Sequence, residues 1–164
     1  LLYTKSNQPN HFNIIIQRNW FKAISLILRY GTLVGLITLI ESSIINTKVL
    51  EQNEYHKYNK LSPFYIFYSY YSKIKFSIFT ISKFINTTES ISKIFLNSSW
   101  LEREFSEMYG IKLIGSQDTR KLLLDYGKLE FPMLREFPSE GFNDVFYSIL
   151  EDQVIYYNSG GVEL

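Results

Sequence analysis

Charged side chains are concentrated between Ser98 and Pro138, and the densest group falls within six residues. This group contains Glu102, Arg103, Glu104 and Glu107, so three carboxylates share one local cation. One interpretation is a solvated face near a helix N-terminus, where the helix dipole favours acidic residues. The alternative is ion pairing with other charges, because Arg103 and Glu107 alone would pair only weakly on an exposed helix surface.

The acidic group is predicted to lie on a short helix whose two ends are specified. Ser99 stands in the N-cap position, and Glu102 can complete a capping box, so the helix should start at Trp100. Gly110 is placed to end the helix in the left-handed conformation. An apolar stripe at helical spacing should face the core and leave the charged residues outside, and it consists of Leu101, Phe105, Met108 and Tyr109.

A series of charged and turn residues follows this helix without a helical or strand period. Its cations include Arg120 and Arg135, and its acids include Asp118, Asp125 and Glu136. We expect this segment to fold back on the helix. At least one of the two arginines should then pair with a helix glutamate or with a neighbouring subunit.

The pattern resembles the family of the 30-kDa subunit of respiratory complex I, NADH:ubiquinone oxidoreductase, which is called subunit 9 when encoded in mitochondria and has a bacterial counterpart. The family signature of Glu-Arg-Glu, two residues, an acid, two hydrophobic residues and Gly-Ile stands here as residues 102–111, after Trp100. Matching spacings continue at Gly115, Asp118, Arg120, Asp125, Tyr126, Gly127, Pro132, Arg135, Glu136, Phe137, Pro138, Gly141 and Phe142. The chain departs from the family at Ser116 and Gln117, where His-Pro is usual, and at Leu134, where Arg is usual.

The resemblance implies a non-catalytic structural and assembly subunit of the peripheral arm, on the matrix side of the mitochondrial inner membrane. It implies no cofactor, metal or catalytic residue in this chain, and membrane association only through the complex. The implied partners are other complex I subunits, chiefly the 49-kDa-type subunit of the quinone site and the neighbouring iron–sulfur subunits. The implied signature and interface residues are Trp100, Glu102, Arg103, Glu104, Glu107, Gly110, Asp118, Arg120, Asp125, Tyr126, Gly127, Arg135, Phe137 and Pro138. An equivalent subunit of a photosynthetic NADH-dehydrogenase-like complex or of an energy-converting hydrogenase stays an alternative.

Composition argues independently against several classes of site. The chain has no cysteine, so a disulfide, a thiolate zinc site and a cysteine-held iron–sulfur cluster are excluded. The two histidines, His11 and His56, are far apart in sequence, which disfavours a histidine-based metal or acid–base site. Gly31 and Gly35 lack the further residues of a phosphate-binding loop. These absences agree with a chain that carries no redox cofactor.

The elements that must position the charged segment can be predicted from the first half of the chain. A strand is expected at 12–17 and an amphipathic helix at 20–30, ending at Gly31, with Phe21, Ile24, Ile27 and Leu28 on its apolar face. The pattern of residues 33–45 predicts a strand buried on both faces, and the polar stretch 46–61 predicts a loop or insertion. A membrane span is disfavoured because Arg29 and two glycines interrupt the apolar run.

Two aromatic strands are predicted next, at 64–71 and 73–83, as an antiparallel pair. The second slips its alternation near Phe79, which indicates either a β-bulge or burial on both faces. Thr88 should cap a short helix carrying Ile91, Ile94 and Phe95. The mixture of aromatic and basic residues also admits an organellar RNA-binding or ribosomal protein, in which exposed rings stack on bases.

Charge is divided between the two parts of the chain. Residues 1–98 contain 11 Lys and Arg against 4 Asp and Glu, whereas residues 99–164 contain 6 against 12, giving +7 and −6. The two parts either bind different partners or complement each other when folded. The resulting prediction is one α+β domain at 1–142, with a mixed sheet of four or five strands and the signature segment at 98–142. Residues 143–164 should form an extended C-terminal arm.

Overall fold

A computed structural model describes residues 2–5, 10–31, 36–46, 61–81, 87–127 and 130–158. The predicted insertion 46–61 lies almost wholly outside the described residues. In chain order the elements are β1 (Leu2–Lys5), β2 (His11–Gln17), α1 (Arg18–Tyr30), β3 (Ile37–Asn46), β4 (Leu61–Ser69), β5 (Ile74–Ile81), β6 (Thr87–Glu89), α2 (Ser98–Tyr109), β7 (Lys112–Ile114), β8 (Asn143–Ser148) and β9 (Gln153–Asn158).

A five-stranded sheet in the order β1-β2-β5-β4-β3 forms the centre of the fold. Strands β2 and β5 are parallel, and the other three pairs are antiparallel. The sheet is therefore mixed, and the predicted α+β class is confirmed. The edge strand β1 was not predicted, because its four residues are too few to establish a period.

The core lies between one face of the sheet and the two helices. Tyr65 of β4 is fully buried, and its ring centroid lies 4.4 Å from that of Phe21 on α1 and 6.3 Å from that of Phe105 on α2. Because both helices reach the same side chain, they cover the same face of the sheet. Phe67, the next residue of β4 on this face, is also fully buried and packs on Phe76 of β5.

The burial of these rings bears on the RNA-binding alternative. Stacking on bases requires exposed aromatic faces, but Tyr65 and Phe67 are in the core. The strongly exposed tyrosines here, Tyr70 and Tyr71, lie at the turn between β4 and β5. These two rings are therefore unavailable for stacking on bases.

The structure corrects the predicted burial of β3 and the predicted position of the β-bulge. Along β3 Ile37 and Leu39 are buried but Ile40 and Glu41 are exposed, so burial on both faces was a wrong prediction there. The β-bulge lies between Leu39 and Glu41, not in β5. In β5 the broken alternation reflects burial on both faces, since Ser77 and its neighbours on the opposite face are buried.

Helix α1 buries a slightly different face from the predicted one. Phe21 and Ser25 are fully buried, while Ile27 is 67% exposed. Ser25 is tolerated in the core because its hydroxyl donates to the Phe21 carbonyl oxygen at 2.8 Å. The predicted end at Gly31 is confirmed.

The predicted helix after Thr88 is wrong. Thr88 lies in β6, which pairs in parallel with β7 after α2, and residues 92–94 form only a turn. Along the chain, the signature helix α2 therefore connects two short strands that pair with each other.

The described part of the C-terminal segment, which was predicted as an extended arm, forms a hairpin. Strands β8 and β9 pair antiparallel with each other over six residues each. Within the described residues, neither strand packs extensively on another element. None of the described helices is long and apolar enough to cross a membrane.

Candidate functional site

Helix α2 begins differently from the prediction. It starts at Ser98, with Asn97 as its N-cap residue and no capping hydrogen bond from the Asn97 side chain. The capping box between Ser99 and Glu102 is wrong, because the Glu102 carboxylate binds a different segment. The predicted end is confirmed, since Gly110 adopts the left-handed conformation with φ of 70°.

Glu102 is a fully buried anchor between α2 and the segment that follows β6. Its Oε2 accepts from Ser90 Oγ at 2.5 Å and its Oε1 accepts from the Ile91 amide at 2.8 Å. The buried hydroxyl of Ser98 also acts to lower the pKa of this carboxyl group. Glu102 is therefore not part of a solvated face.

Burial dominates the electrostatics of this anchor. It raises the pKa of Glu102 to about 6, and the hydrogen bonds from Ser90 and Ile91 oppose this only in part. Burial raises the pKa of the neighbouring Tyr65 as well, and the Glu102 charge adds to that effect. Within the described residues no ion pair involves Glu102, so the anchor rests on hydrogen bonds.

A second anchor on α2 holds the backbone of residues 120–123. Glu107, which is 8% exposed, accepts from the amides of Leu122 at 2.8 Å and Leu123 at 2.6 Å. One helical turn earlier, Arg103 donates to the carbonyl oxygens of Arg120 at 2.8 Å and Lys121 at 3.2 Å. On the helix, Glu107 therefore accepts from two amides of the loop, and Arg103 donates to two carbonyl oxygens of the same loop. We call Arg103 and Glu107 the loop clamp.

An ion pair strengthens the loop clamp. Arg103 Nη1 lies 3.3 Å from Asp118 Oδ2, and Arg120 Nη2 lies 2.8 Å from the same oxygen. The Arg120 side chain and its backbone amide both donate to Asp118, and these bonds hold the Asp118 pKa well below its usual range. The segment does fold back on the helix as predicted. The predicted pairing within the chain is wrong, because among the described residues the helix contributes the arginine and the loop contributes the carboxylate.

The chain also returns to the C-terminal end of α2. The Met133 amide donates to the Met108 carbonyl oxygen at 3.2 Å. A Cβ added at Gly110 would lie 3.0 Å from the ring of Phe131. Gly110 thus serves both the left-handed helix end and the close approach of this ring.

The structure places the remaining signature residues outside these two anchors. Asp125 Oδ1 accepts from the Gly127 amide at 3.3 Å, and the exposed Tyr126 donates its hydroxyl to the Lys121 carbonyl oxygen. Phe137 packs edge-on against Phe142 with ring centroids 5.1 Å apart. The others lie at the surface or are half-buried, namely Trp100, Glu104, Arg135 and Pro138.

Sequence reasoning missed the partners of the carboxylates. Ser90 and the amides of residues 91, 122 and 123 are ordinary in type, and backbone amides leave no sequence signal. Among the described residues, no group of three His, Cys, Asp or Glu side chains is arranged to hold a metal ion. The chemistry shown by the described signature is the fastening of backbone segments to a helix.

Comparison with known proteins identifies the family. Residues 14–143 match the family described as respiratory-chain NADH dehydrogenase, 30 Kd subunit. The chain is 40% identical over 75 residues to NADH-ubiquinone oxidoreductase subunit 9 of Paramecium primaurelia, covering 46% of this chain and 36% of that protein. It is 38% identical over 68 residues to NADH-ubiquinone oxidoreductase subunit 9 of Dictyostelium citrinum, covering 42% and 32%. A bacterial relative, a subunit of the NADH-quinone oxidoreductase of Wolbachia sp. subsp. Brugia malayi, is 43% identical over 67 residues, covering 41% and 35%. The match thus spans about a third of the length of these relatives.

A solved structure supports the fold alone. A chain of an archaeal respiratory membrane complex, the membrane-bound sulfane sulfur reductase, superposes with a TM-score of 0.60 at 9% identity, covering 79% of this chain and 72% of that chain. The family match extends over both anchors and most of the sheet. The chain therefore belongs to the family of the 30-kDa subunit of the respiratory-chain NADH dehydrogenase, complex I.

Proposed function

We propose that this chain is a non-catalytic structural and assembly subunit of the peripheral arm of complex I. In this role it supports electron transfer from NADH to ubiquinone by packing beside the 49-kDa-type quinone-site subunit. If the complex is mitochondrial, this chain lies on the matrix side of the inner membrane. The observation that carries the proposal is the loop clamp, which fixes the start of a long, largely exposed C-terminal region.

The C-terminal region is the part of the chain best suited to contact a partner. Ile149 and Leu150, at the turn of the β8–β9 hairpin, are 86% and 99% exposed, and apolar or aromatic side chains on both strands are more than half exposed, including Val145, Tyr147, Val154, Tyr156 and Tyr157. An isolated two-stranded hairpin is marginally stable in water. Exposed apolar surface of this kind marks protein interfaces. We infer that residues 143–164 act as an arm that docks on a neighbouring subunit.

Family membership and the composition support the non-catalytic part of the proposal. Oxidation of NADH and long-range electron transfer require flavin and iron–sulfur centres, and a chain without cysteine cannot supply thiolates for such clusters. The two carboxylates with the most demanding environments, Glu102 and Glu107, are engaged with backbone amides. Their role in the proposal is structural.

Two measurements test this function. Tagged full-length chain should co-migrate on a native gel with a large assembly that oxidises NADH. The purified chain should show neither flavin nor iron absorbance and no NADH oxidation. A stoichiometric cofactor in the purified chain would overturn the non-catalytic role. Nucleic-acid binding that falls steeply with salt, without co-migration, would favour the RNA-binding alternative.

A further inference from the structure

The outward-facing side of α1 is apolar, which is unusual for a helix that packs on a sheet. At 100° per residue, the buried Phe21 and Ser25 lie on one side, and the opposite side carries the apolar or aromatic residues Trp20, Ala23, Leu26, Ile27 and Tyr30 together with one exposed polar residue, Asn19. Four of these are exposed large hydrophobic residues: Trp20 at 65%, Leu26 at 42%, Ile27 at 67% and Tyr30 at 73%. Exposed apolar surface of this extent marks an interaction site. We call the five apolar or aromatic residues the outer face of α1.

The border of the outer face is positively charged. Lys22 and Arg29 are exposed along one edge of the helix, and residues 11–31 contain no Asp or Glu. Arg18, at the same edge, is already engaged with Thr87. The guanidinium carbon of Arg29 lies 5.6 Å from the ring centroid of Phe95, and the Arg29 side chain is nevertheless exposed to solvent. The complementary surface must therefore be apolar at its centre and acidic at its border.

A cleft next to the outer face favours a protein partner over a lipid surface. It has a volume of about 440 Å³ and is lined, among the described residues, by Ile16, Gln17, Trp20 and Ile24. A concave apolar site of this kind receives a fixed side chain, as anchor residues do in protein interfaces. Two exposed cations are also few for binding an anionic membrane.

We infer that the outer face of α1 is an interface with another subunit of the assembly, which inserts an apolar side chain beside Trp20 and brings carboxylates to Lys22 and Arg29. This interface is separate from the C-terminal arm and shares no residue with it. The fold would then be held in the complex from two independent surfaces. An α1 buried between its own sheet and a neighbour accounts for a helix that is apolar on both sides.

Charge at one exposed position tests the inference. Ile27→Glu and Ile27→Lys introduce long polar side chains of opposite sign at a site that is 67% exposed. Neither should shift the melting temperature of the purified full-length chain appreciably. In cells, both variants should lower the amount of assembled complex by roughly tenfold or more, because each places a charge in the apolar centre of the interface. Assembly of either variant at the wild-type level would overturn the inference.

A photo-crosslinking amino acid at position 27 identifies the occupant directly. In the assembled complex, we expect one main adduct, with a peptide of a different subunit that contains Asp or Glu close to the crosslinked residue. An adduct with lipid, with this chain or with a second copy of it would contradict the inference. A basic peptide or the absence of any adduct would contradict it equally. The C-terminal arm is unchanged in this experiment, so a failure here leaves the proposed function standing.

Discussion

Glu102→Gln replaces the buried carboxyl group by a neutral amide of nearly the same shape. The Gln oxygen can still accept from the Ile91 amide, and Ser90 can turn its hydroxyl to accept from the new NH2 group. The contact between α2 and the segment after β6 is therefore retained. The main effect of the substitution is therefore the removal of a negative charge that burial disfavours.

The magnitude follows from the pKa of Glu102. Its value of about 6 in the folded chain lies above the ordinary 4.5, so the folded state binds this proton more tightly than the unfolded state. The resulting stability is fully present below about pH 4.5 and is lost as the pH rises through about 6. The difference between the two pKa values corresponds to roughly 2 kcal/mol of unfolding free energy.

Urea denaturation of the full chain between about pH 4.5 and about pH 7.5 measures this effect. The wild type should lose about 2 kcal/mol more than Glu102→Gln over this interval, and at neutral pH the variant should be the more stable protein. Glu104→Gln removes an exposed carboxylate from the same helix and serves as the control. If Glu102→Gln kept the wild-type pH dependence, or if the difference had the opposite sign, the account of this anchor would be refuted.

Three further predictions concern the clamp, the helix end and the arm. Glu107→Ala leaves two loop amides without their acceptor, which should cost about 1–3 kcal/mol and speed amide hydrogen exchange at residues 122 and 123; unchanged exchange would contradict the clamp. Gly110→Ala should destabilise the chain by about 1–2 kcal/mol in denaturation, because of its positive φ and the Phe131 ring, whereas Gly127→Ala meets no atom within 4 Å and should be nearly neutral. Leu150→Asp should leave the melting temperature unchanged, since the side chain is 99% exposed, but reduce assembly measured on native gels; normal assembly would remove this residue from the interface.

Strands β2 to β5 and the C-terminal ends of both helices were largely predictable from sequence because their signals are local. The aromatic composition of β4 and the glycines at 31 and 110 each act within a few residues. The capping box failed for a nonlocal reason. Glu102 satisfies the local pattern, but Ser90 and the Ile91 amide offer it buried hydrogen bonds from a segment brought in by β6.

The candidate site was predictable in outline and not in its pairing. The motif placed charges on both the helix and the following loop, so contact between them could be expected. Which carboxylate binds which donor depends on where the loop crosses the helix, and this positions Asp118 beside Arg103 and brings the Leu122 amide to Glu107. The charged residues of an ion pair can be recognised in a sequence. Backbone amides and carbonyls are present in almost every residue, so a sequence does not indicate which of them will bind a side chain.

A structural role for the signature residues can be separated from a catalytic one with Arg103→Ala. The substitution removes two bonds to loop carbonyls and the contact with Asp118. Native-gel quantification of the complex, combined with NADH:ubiquinone turnover per assembled complex, separates assembly from catalysis. We predict a clear loss of assembled complex, with turnover per complex close to that of the wild type. Normal assembly with slow turnover would exclude a purely structural role and require a direct catalytic role for this chain.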